Sequence, residues 1–566
     1  VSIRLLIIDA LTAGEGKRIY TRDFIGAGPR TVAGFIEMVS DNRIQSTIMR
    51  AEDFLGQMDT KLCEQYQILG ISAMTMDEKI TMKVVQRWKL VNTNTKKTLI
   101  LLGGPITADL NILKRIPIDV ICIGEAEISL YALFHTNFEK LQKYFEMNDN
   151  SSKIITKSEL LSNIPGIAFQ NNNEIIYQKR EQFDRIWFIN SPGFPEKIST
   201  YSDYNQARIY VECVRGCSNF RRTSLVLQNQ KICLSSKLDI SQKGCAVCRK
   251  NILNPLLQCP VDIPPGCGFC STIESFGSPR SRSIDAILRE IQILIELGAH
   301  RIVLGGPDFL DFQRDSSAHT PLINPNEPEP NYAALQQLIS GLLNIPEIKE
   351  HTVQLFIENV KASLCTDRAL DLITRIPHAN FSIGCETGSN RFANELGRPS
   401  NPQITLTAVK KAHARQIRVH VYFIHSLPGD KPEYIQETLH LMEKFAQLGV
   451  EKITLYKYQE LPGSPFYRSP LAQEPPSREV QKWTEKLKRY VIQYNGQQKN
   501  WWLNKTVRVF ITEPNTQSKG DAIGWILEGG PKVSVKSGKI FIGQWQNVKV
   551  IRVISDRLVE AEIIRS

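Results

Sequence analysis

Eight of the twelve cysteines in this 566-residue chain fall between Cys213 and Cys270. A secreted disulfide framework spreads its cysteines through a small, loop-rich chain. C-x2-C pairs inside a long chain read instead as metal ligands in a reducing compartment. Two motifs, Cys213-Val-Arg-Gly-Cys217 and Cys267-Gly-Phe-Cys270, flank a stretch of 49 residues, from 218 to 266. Inside it Cys233, Cys245, Cys248 and Cys259 are spaced C-x11-C-x2-C-x10-C. Four thiolates with one tight pair suit a tetrahedral zinc ion or an auxiliary iron–sulfur cluster, and both readings stand beside that of four free thiols. The stretch is modestly apolar, so a metal would supply what a core does not.

The rest of the chain is an α/β protein of several domains. Apolar residues make up 42%, enough for real cores, and no run of about 18 apolar residues suggests a membrane span. The opening Val-Ser-Ile-Arg-Leu-Leu-Ile-Ile-Asp9 reads as a strand, not a signal peptide. A cytoplasmic, monomeric protein is expected. The net charge of +11 favours a polyanionic partner such as RNA over a membrane, although basic soluble proteins are common.

Residues 1–147 alternate strands (Ile3–Ile8, Ile68–Ala73, Thr98–Leu102, Val120–Ile123) with helical patterns, which predicts a doubly wound parallel sheet. Residues 148–200 read as a connector, with a β-hairpin around Asn171-Asn172-Asn173. A second series fills 201–474, with strands at Arg208–Cys213, Arg301–Leu304, Val353–Ile357, Asn380–Gly384, Arg418–Ile424 and Lys452–Tyr456. It predicts a partial (β/α)6 barrel whose functional residues sit at the carboxyl ends of the strands. A linker helix over 475–498 leads to six short strands in 499–566, including Lys539–Ile542, that suggest a small closed β-barrel. This last segment carries 11 Lys+Arg against 6 Asp+Glu. Its Trp525 and Trp545 could stack on bases, or could pack the barrel onto its own protein.

With the intervening stretch removed, the outer motifs read R-G-C…G-C-G-F-C. This resembles the C-x3-C-x2-C loop of radical S-adenosylmethionine (SAM) enzymes. The resemblance assigns Cys217, Cys267 and Cys270 to a [4Fe–4S] cluster and leaves Cys213 to packing; the 49-residue interruption is a departure from the family pattern. Further segments resemble the family in order, each after an expected strand: Leu304-Gly305-Gly306-Pro307-Asp308, Ile357-Glu358-Asn359-Val360, Gly384-Cys385-Glu386-Thr387-Gly388-Ser389, Gly397-Arg398-Pro399 and Leu427-Pro428-Gly429-Asp430. The resemblance implies SAM contacts from Gly305, Gly306, Asp308, Glu358, Asn359, Glu386, Arg398 and Gly429, with Arg398 suited to a carboxylate. It also implies reductive SAM cleavage to a 5′-deoxyadenosyl radical, fed by an electron donor such as ferredoxin or flavodoxin.

The N-terminal domain resembles the cobalamin-binding domain of B12-dependent radical SAM enzymes. Leu6-Ile-Ile-Asp9-Ala and Gly28-Pro29-Arg30 also resemble an archaeal group of such proteins. The resemblance places cobalamin near Ser72, Met74, Gly103, Gly104, Gly124 and Glu125. With no D-x-H-x-x-G segment, and His135 the only histidine of the domain, any cobalamin would lack a histidine lower ligand. A domain that keeps the fold without the cofactor is the alternative. The terminal segment resembles the RNA-binding TRAM module. Together these imply a cobalamin-dependent C-methyltransferase of tRNA or rRNA. Two rivals remain: a methylthiotransferase with an auxiliary cluster, and a methyltransferase of protein side chains. The methylthiotransferase cluster domain needs three cysteines, and this N-terminal domain has Cys63 and Cys122 alone. The target atom and the catalytic groups beyond the cofactors are not legible.

Overall fold

The computed structural model describes residues 3–11, 24–57, 63–92, 97–146, 155–180, 185–226, 263–314 and 321–564. Cys233, Cys245, Cys248 and Cys259 lie outside the described residues. The chain forms two compact units, Val1–Val211 with Asp285–Leu297, and Glu212–Ile284 with Gly298–Ser566.

In the first unit, β1 (Ile3–Asp9), β2 (Phe24–Ile25), β3 (Ile44–Arg50), β4 (Ile68–Ser72), β5 (Leu99–Gly103) and β6 (Val120–Cys122) precede a hairpin of β7 (Ile167–Asn171) and β8 (Glu174–Tyr177). The main sheet has the order β3-β1-β4-β5-β6-β7-β8. Its first five strands are parallel. Leu5, Leu6, Ile7 and Ile8 are each at most 2% exposed. Such an unbroken apolar run is what a parallel sheet covered on both faces requires. The parallel strands follow the doubly wound order 2-1-3-4-5, which places a ligand at the carboxyl ends near the switch point between β1 and β4.

The hairpin forms, and Asn172 and Asn173 both take positive φ (47° and 67°), as a two-residue type I′ turn demands. It is more than a connector: β7 pairs antiparallel with β6 and so covers an edge that would otherwise be open. The strand Ile44–Arg50 was not expected, because its Gln-Ser-Thr centre hides the apolar signal of an outer strand. The expected strand at Arg208 forms as β9 (Arg208–Glu212), parallel to β2.

Arg30, of the Gly-Pro-Arg motif, is fully buried and spans this unit. It donates to the carbonyls of Gly193 (3.2 Å) and Tyr210 (2.5 Å) and to Oε1 of Glu290 (2.5 Å), itself fully buried. At the carboxyl ends of β1 and β3, Asp9 accepts from the Tyr201 hydroxyl at 2.9 Å, and Arg50 pairs with Asp203 at 3.1 Å.

In the second unit, β10 (Val214–Arg215) pairs antiparallel with β11 (Arg280–Ser281). Parallel strands β12 (Arg301–Gly305), β13 (Gln354–Val360), β14 (Asn380–Glu386), β15 (Arg418–His425) and β16 (Lys452–Lys457) then follow, each joined to the next in space as in sequence. Helices Tyr332–Leu343, Asp367–Ile373 and Pro432–Gln447 lie between successive strands of this series. The edge of β16 is closed by a side chain. Asn495, on the helix Arg478–Lys499, accepts from Ile453 N at 3.1 Å and donates to Ile453 O at 2.8 Å, replacing a strand partner.

The C-terminal strands β17 (Thr506–Pro514), β18 (Ala522–Ile526), β19 (Lys532–Val535), β20 (Trp545–Val553) and β21 (Leu558–Ile563) close into a barrel ordered β17-β18-β19-β21-β20. The sixth expected strand, Lys539–Ile542, is instead mostly a 3-10 turn over Gly538–Phe541, entered through Ser537 in the left-handed conformation. The barrel sits against the amino-terminal ends of the parallel strands. Gln354 Nε2 donates to Ile526 O at 3.5 Å, and Gly529 packs where a Cβ would lie 2.5 Å from Arg418. Of the two uses open to Trp525 and Trp545, stacking on bases or packing the barrel onto its own protein, the structure shows the second. Trp525 lies under the Arg301 guanidinium (4.3 Å) and Trp545 against His300 (5.9 Å). An amphipathic indole serves docking as well as stacking, and sequence alone does not separate the two.

Removing one member of a fully buried ion pair strands the other charge, typically costing about 3–5 kcal/mol. Glu290→Leu is therefore expected to lower stability by roughly that amount. Arg30→Met/Glu290→Leu together should recover much of it. Urea unfolding midpoints of the two variants check this.

Candidate active site at the strand ends

The structure brings the two separated cysteine motifs together. Cys217 is set by the strand pair β10–β11: its N–H donates to Gly277 O at 3.1 Å. Gly216 takes φ 88°, and a Cβ there would meet Ser278 O at 2.4 Å. Cys267 and Cys270 share one turn, with Cys270 N donating to Cys267 O at 2.9 Å. That turn is held on both sides, because Gly268 donates to Leu396 O (2.9 Å) and accepts from Phe466 N (2.8 Å). Cys213 is fully buried, its N–H on Gly305 O at 2.8 Å, as its packing role implies.

Asn219 joins the motifs. Its backbone N–H donates to Cys217 Sγ at 3.5 Å and its side-chain Nδ2 to Cys267 Sγ at 3.2 Å, the latter also donating to Gly397 O at 3.0 Å. The opposite amide orientation would point an oxygen at a carbonyl, so the chemistry fixes this one. Two more bonds tie the flanks: Gly266 N to Arg221 O (2.6 Å) and Arg222 Nε to Ile263 O (2.7 Å).

The three thiols fit a cuboidal iron–sulfur cluster. A cube takes one thiolate per iron and leaves a fourth iron open. Among the described residues, no group of three or more His, Cys, Asp or Glu converges on a single ion. Burial pushes the Cys217 thiol up to about 12, partly offset by Lys361, and raises Cys270 as well. Iron binding must therefore displace protons from these sulfurs. Cys267 also receives Arg398 Nη1 at 3.5 Å, and Cys270 contacts Thr272 Oγ1 at 3.1 Å.

The expected SAM residues divide. Gly305 ends β12 and Gly306 follows it, its N–H donating to Glu358 Oε2 at 2.8 Å. Glu358 and Asn359 occupy a bulge in β13, where the register with β14 shifts between Ile357 and Val360. Bulges re-aim side chains beside active sites. Burial raises the Glu358 carboxyl to about 7, with Gly306 N opposing and Glu212 adding. Glu386 sits at a second bulge, at φ 68°. Backbone strain of this kind costs about 1–3 kcal/mol and clusters at functional sites. Its carboxylate is raised by burial and lies 3.4 Å from Arg398. Arg398 bonds Gly384 O at 2.7 Å, so one guanidinium links β14 to Cys267. Gly429, at φ 83°, turns the chain after β15 beside Leu225.

Asp308, expected among the SAM contacts, is bonded within the protein. It is fully buried, its Oδ1 accepts from Leu310 N and Lys361 N, and its Oδ2 lies 3.0 Å from the Lys361 ammonium. Lys361 also pairs with Asp311 and donates to Ser218 Oγ at 2.7 Å, the residue after Cys217. Arg314 closes the network on Asp311. Burial alone would lower Lys361, but Asp308 and Asp311 push it well above the lysine range. Sequence reading missed Lys361, Asp311 and Asn219. Asn219 could have been noticed by its position two residues after Cys217.

In the first unit, Ser72, Gly103, Gly104, Gly124 and Glu125 lie at or just beyond the carboxyl ends of β4, β5 and β6. Gly104, at φ 91°, packs so close to Ala73 that a Cβ would meet its carbonyl at 2.5 Å. Met74 beside them is 37% exposed. Small residues and an exposed thioether at this edge fit a broad, flat ligand. His135 is turned to other work, its Nδ1 at 2.8 Å from Val39 O. Cys63 and Cys122 are buried in the core, at 1% and 5% exposed.

Asn219→Ala is expected to lower iron retention after anaerobic reconstitution and to shift the cluster's reduction potential downward, since hydrogen bonds to the sulfurs tune that potential. Cys217→Ala should lose the cluster outright. Iron per chain and a redox titration followed by electron paramagnetic resonance (EPR) measure both.

The sequence profile of the radical SAM superfamily matches residues 258–442. In fold, the chain is similar to the radical SAM methyltransferase TsrM of Kitasatospora setae, solved with cobalamin and a [4Fe–4S] cluster. The TM-score is 0.52 at 11% identity, over 82% of this chain and 77% of that one. A tRNA-2-methylthio-N(6)-dimethylallyladenosine synthase of Deinococcus radiodurans is 25% identical over 260 residues, spanning 45% of this chain and 46% of its own. An uncharacterised protein of Methanocaldococcus jannaschii is 35% identical over 568 residues, covering 100% of this chain and 99% of its own. The chain belongs to one family with that archaeal protein, within the radical SAM superfamily of enzymes that work with a [4Fe–4S] cluster and SAM.

Proposed function

We propose that this enzyme is a cobalamin-dependent C-methyltransferase of tRNA or rRNA. The observation that carries the reading is the junction of Cys217 and Cys267 through Asn219, with Cys270 in the same turn as Cys267, in a chain whose other unit has the doubly wound order with small residues at its strand ends. When bound, the cluster supplies the electron that cleaves SAM, and cobalamin supplies a methyl carrier.

The chain's own residues do the positioning. Cys217, Cys267 and Cys270 would hold the cluster. Gly306 exposes backbone beside Glu358, whose carboxylate is suited to the ammonium of SAM. Arg398 bridges Cys267 and Glu386 and so couples cluster and cofactor pocket. Ser72, Met74, Gly103, Gly104, Gly124 and Glu125 would line the cobalamin face without a histidine ligand. RNA is favoured as substrate by the basic C-terminal segment and by the likeness to a tRNA-modifying enzyme.

That same likeness favours a second reading, sulfur insertion, which requires another cluster. Burial of Cys63 and Cys122 in the core of the first unit weighs against one there. Anaerobic iron, zinc and corrinoid analysis separates the two. About four irons and one corrinoid per chain support methyl transfer, whereas about eight irons without corrinoid overturn it.

Glu358 gives a pH test. Its carboxyl, raised to about 7, is neutral below that pH and charged above it. Affinity for the cationic amino group of SAM should therefore climb from pH 6 to a maximum between about 7 and 8, then fall as the amino group, whose usual pKa is about 8, loses its own charge. Glu358→Gln should flatten the rising limb and weaken SAM binding by roughly 10–100-fold, the range of a charged hydrogen bond. Equilibrium dialysis of SAM across this pH range measures it.

A further inference from the structure

At the amino-terminal ends of β15 and β16, opposite the cysteine loop, the second unit has an open cavity of about 420 Å³. His413, Arg418, Glu451, Lys499, Trp501 and Trp502 line it. Lys499 ends the helix Arg478–Lys499 and is 6% exposed. Among the described residues its ammonium makes no hydrogen bond or ion pair. Burial lowers its pKa, with Glu451 and Asp556 opposing. The acid beside it is already engaged, since Glu451 lies 3.6 Å from both Arg418 and His420. Glu451 and Asp556 act on this ammonium without touching it, and Glu451 is shared with Arg418 and His420, so the cavity keeps positive charge for an incoming anion.

The rim supplies an aromatic face. Trp502 is buried beneath Gly530, and Trp501 stands edge-on to it at 4.7 Å. Trp501 is 61% exposed, and the Lys505 ammonium lies over its ring. The cavity is within the range that holds a small ligand.

We propose that this cavity binds one nucleotide of the RNA substrate, its phosphate on Lys499 and its base on Trp501. The inference rests on the RNA reading above and assigns it a site. An ammonium neutralises one phosphate, and an indole stacks on a base of any identity. The tryptophans of the barrel interface, Trp525 and Trp545, are left to hold the barrel in place.

The test uses the full chain with total tRNA, by fluorescence anisotropy across 50–200 mM salt. Lys499→Met is expected to weaken binding about tenfold and to reduce the salt slope by about one, while Lys499→Arg retains both. Trp501→Ala should weaken binding by a similar factor with the slope unchanged, and Trp501→Phe should restore most of it. Iron content and SAM cleavage should match the unaltered protein in all four. If the unaltered protein binds tRNA and both Lys499→Met and Trp501→Ala bind it equally well, the site is overturned and the RNA reading stands. If the unaltered protein binds no tRNA, both fall.

Discussion

The amide of Asn219 reaches across a gap of 49 residues to put the sulfurs of Cys217 and Cys267 under a single residue. In a short cysteine loop the chain itself fixes the distance between ligands. Here the backbone between the first and second ligands is long, and loop closure over such a length supplies no geometry of its own. Local bonds must do it. Gly266 on Arg221, Arg222 on Ile263 and Asn219 on Cys267 form a short ladder across the base of the interruption. Each is worth about 1 kcal/mol net, yet together they decide whether three thiols form one site.

Beneath this ladder lies a sealed set of charges. Lys361, Asp308, Asp311 and Arg314 sum to neutrality, and Ser218 connects them to the residue beside Cys217. Such a network gives less stability than apolar packing of equal volume, but it permits few alternative arrangements. It makes the support of the first ligand rigid. Arg398 does the same on the other side, committed at once to Gly384 O and Cys267 Sγ.

Much of this was legible in the sequence, for identifiable reasons. Parallel strands are apolar throughout, so Leu5–Ile8 and Ile302–Leu304 announce themselves. The Asn172-Asn173 turn is legible because few residues tolerate two successive positive φ values. The strand-end motifs place Glu358 and Glu386, but not the bulges that aim them, since a bulge depends on the register of a neighbour. The pairing of Asp308 with Lys361 was not legible, because a carboxylate after a glycine turn looks the same whether it meets a ligand or a lysine 53 residues away. Lys361 became visible only when β13 had been folded against β12. The tryptophans of the barrel show the same limit. Their type says they will be covered, and only the docked structure says by what.

The length of β15 has a further meaning. It runs eight residues, Arg418–His425, or about 26 Å at the usual rise. The basic cavity lies at its start and the cysteine loop beyond the ends of its neighbours. On the RNA reading proposed above, the strand sets the reach between the nucleotide cavity and the cysteine loop. A free nucleoside cannot span such a measure, but a folded polynucleotide can.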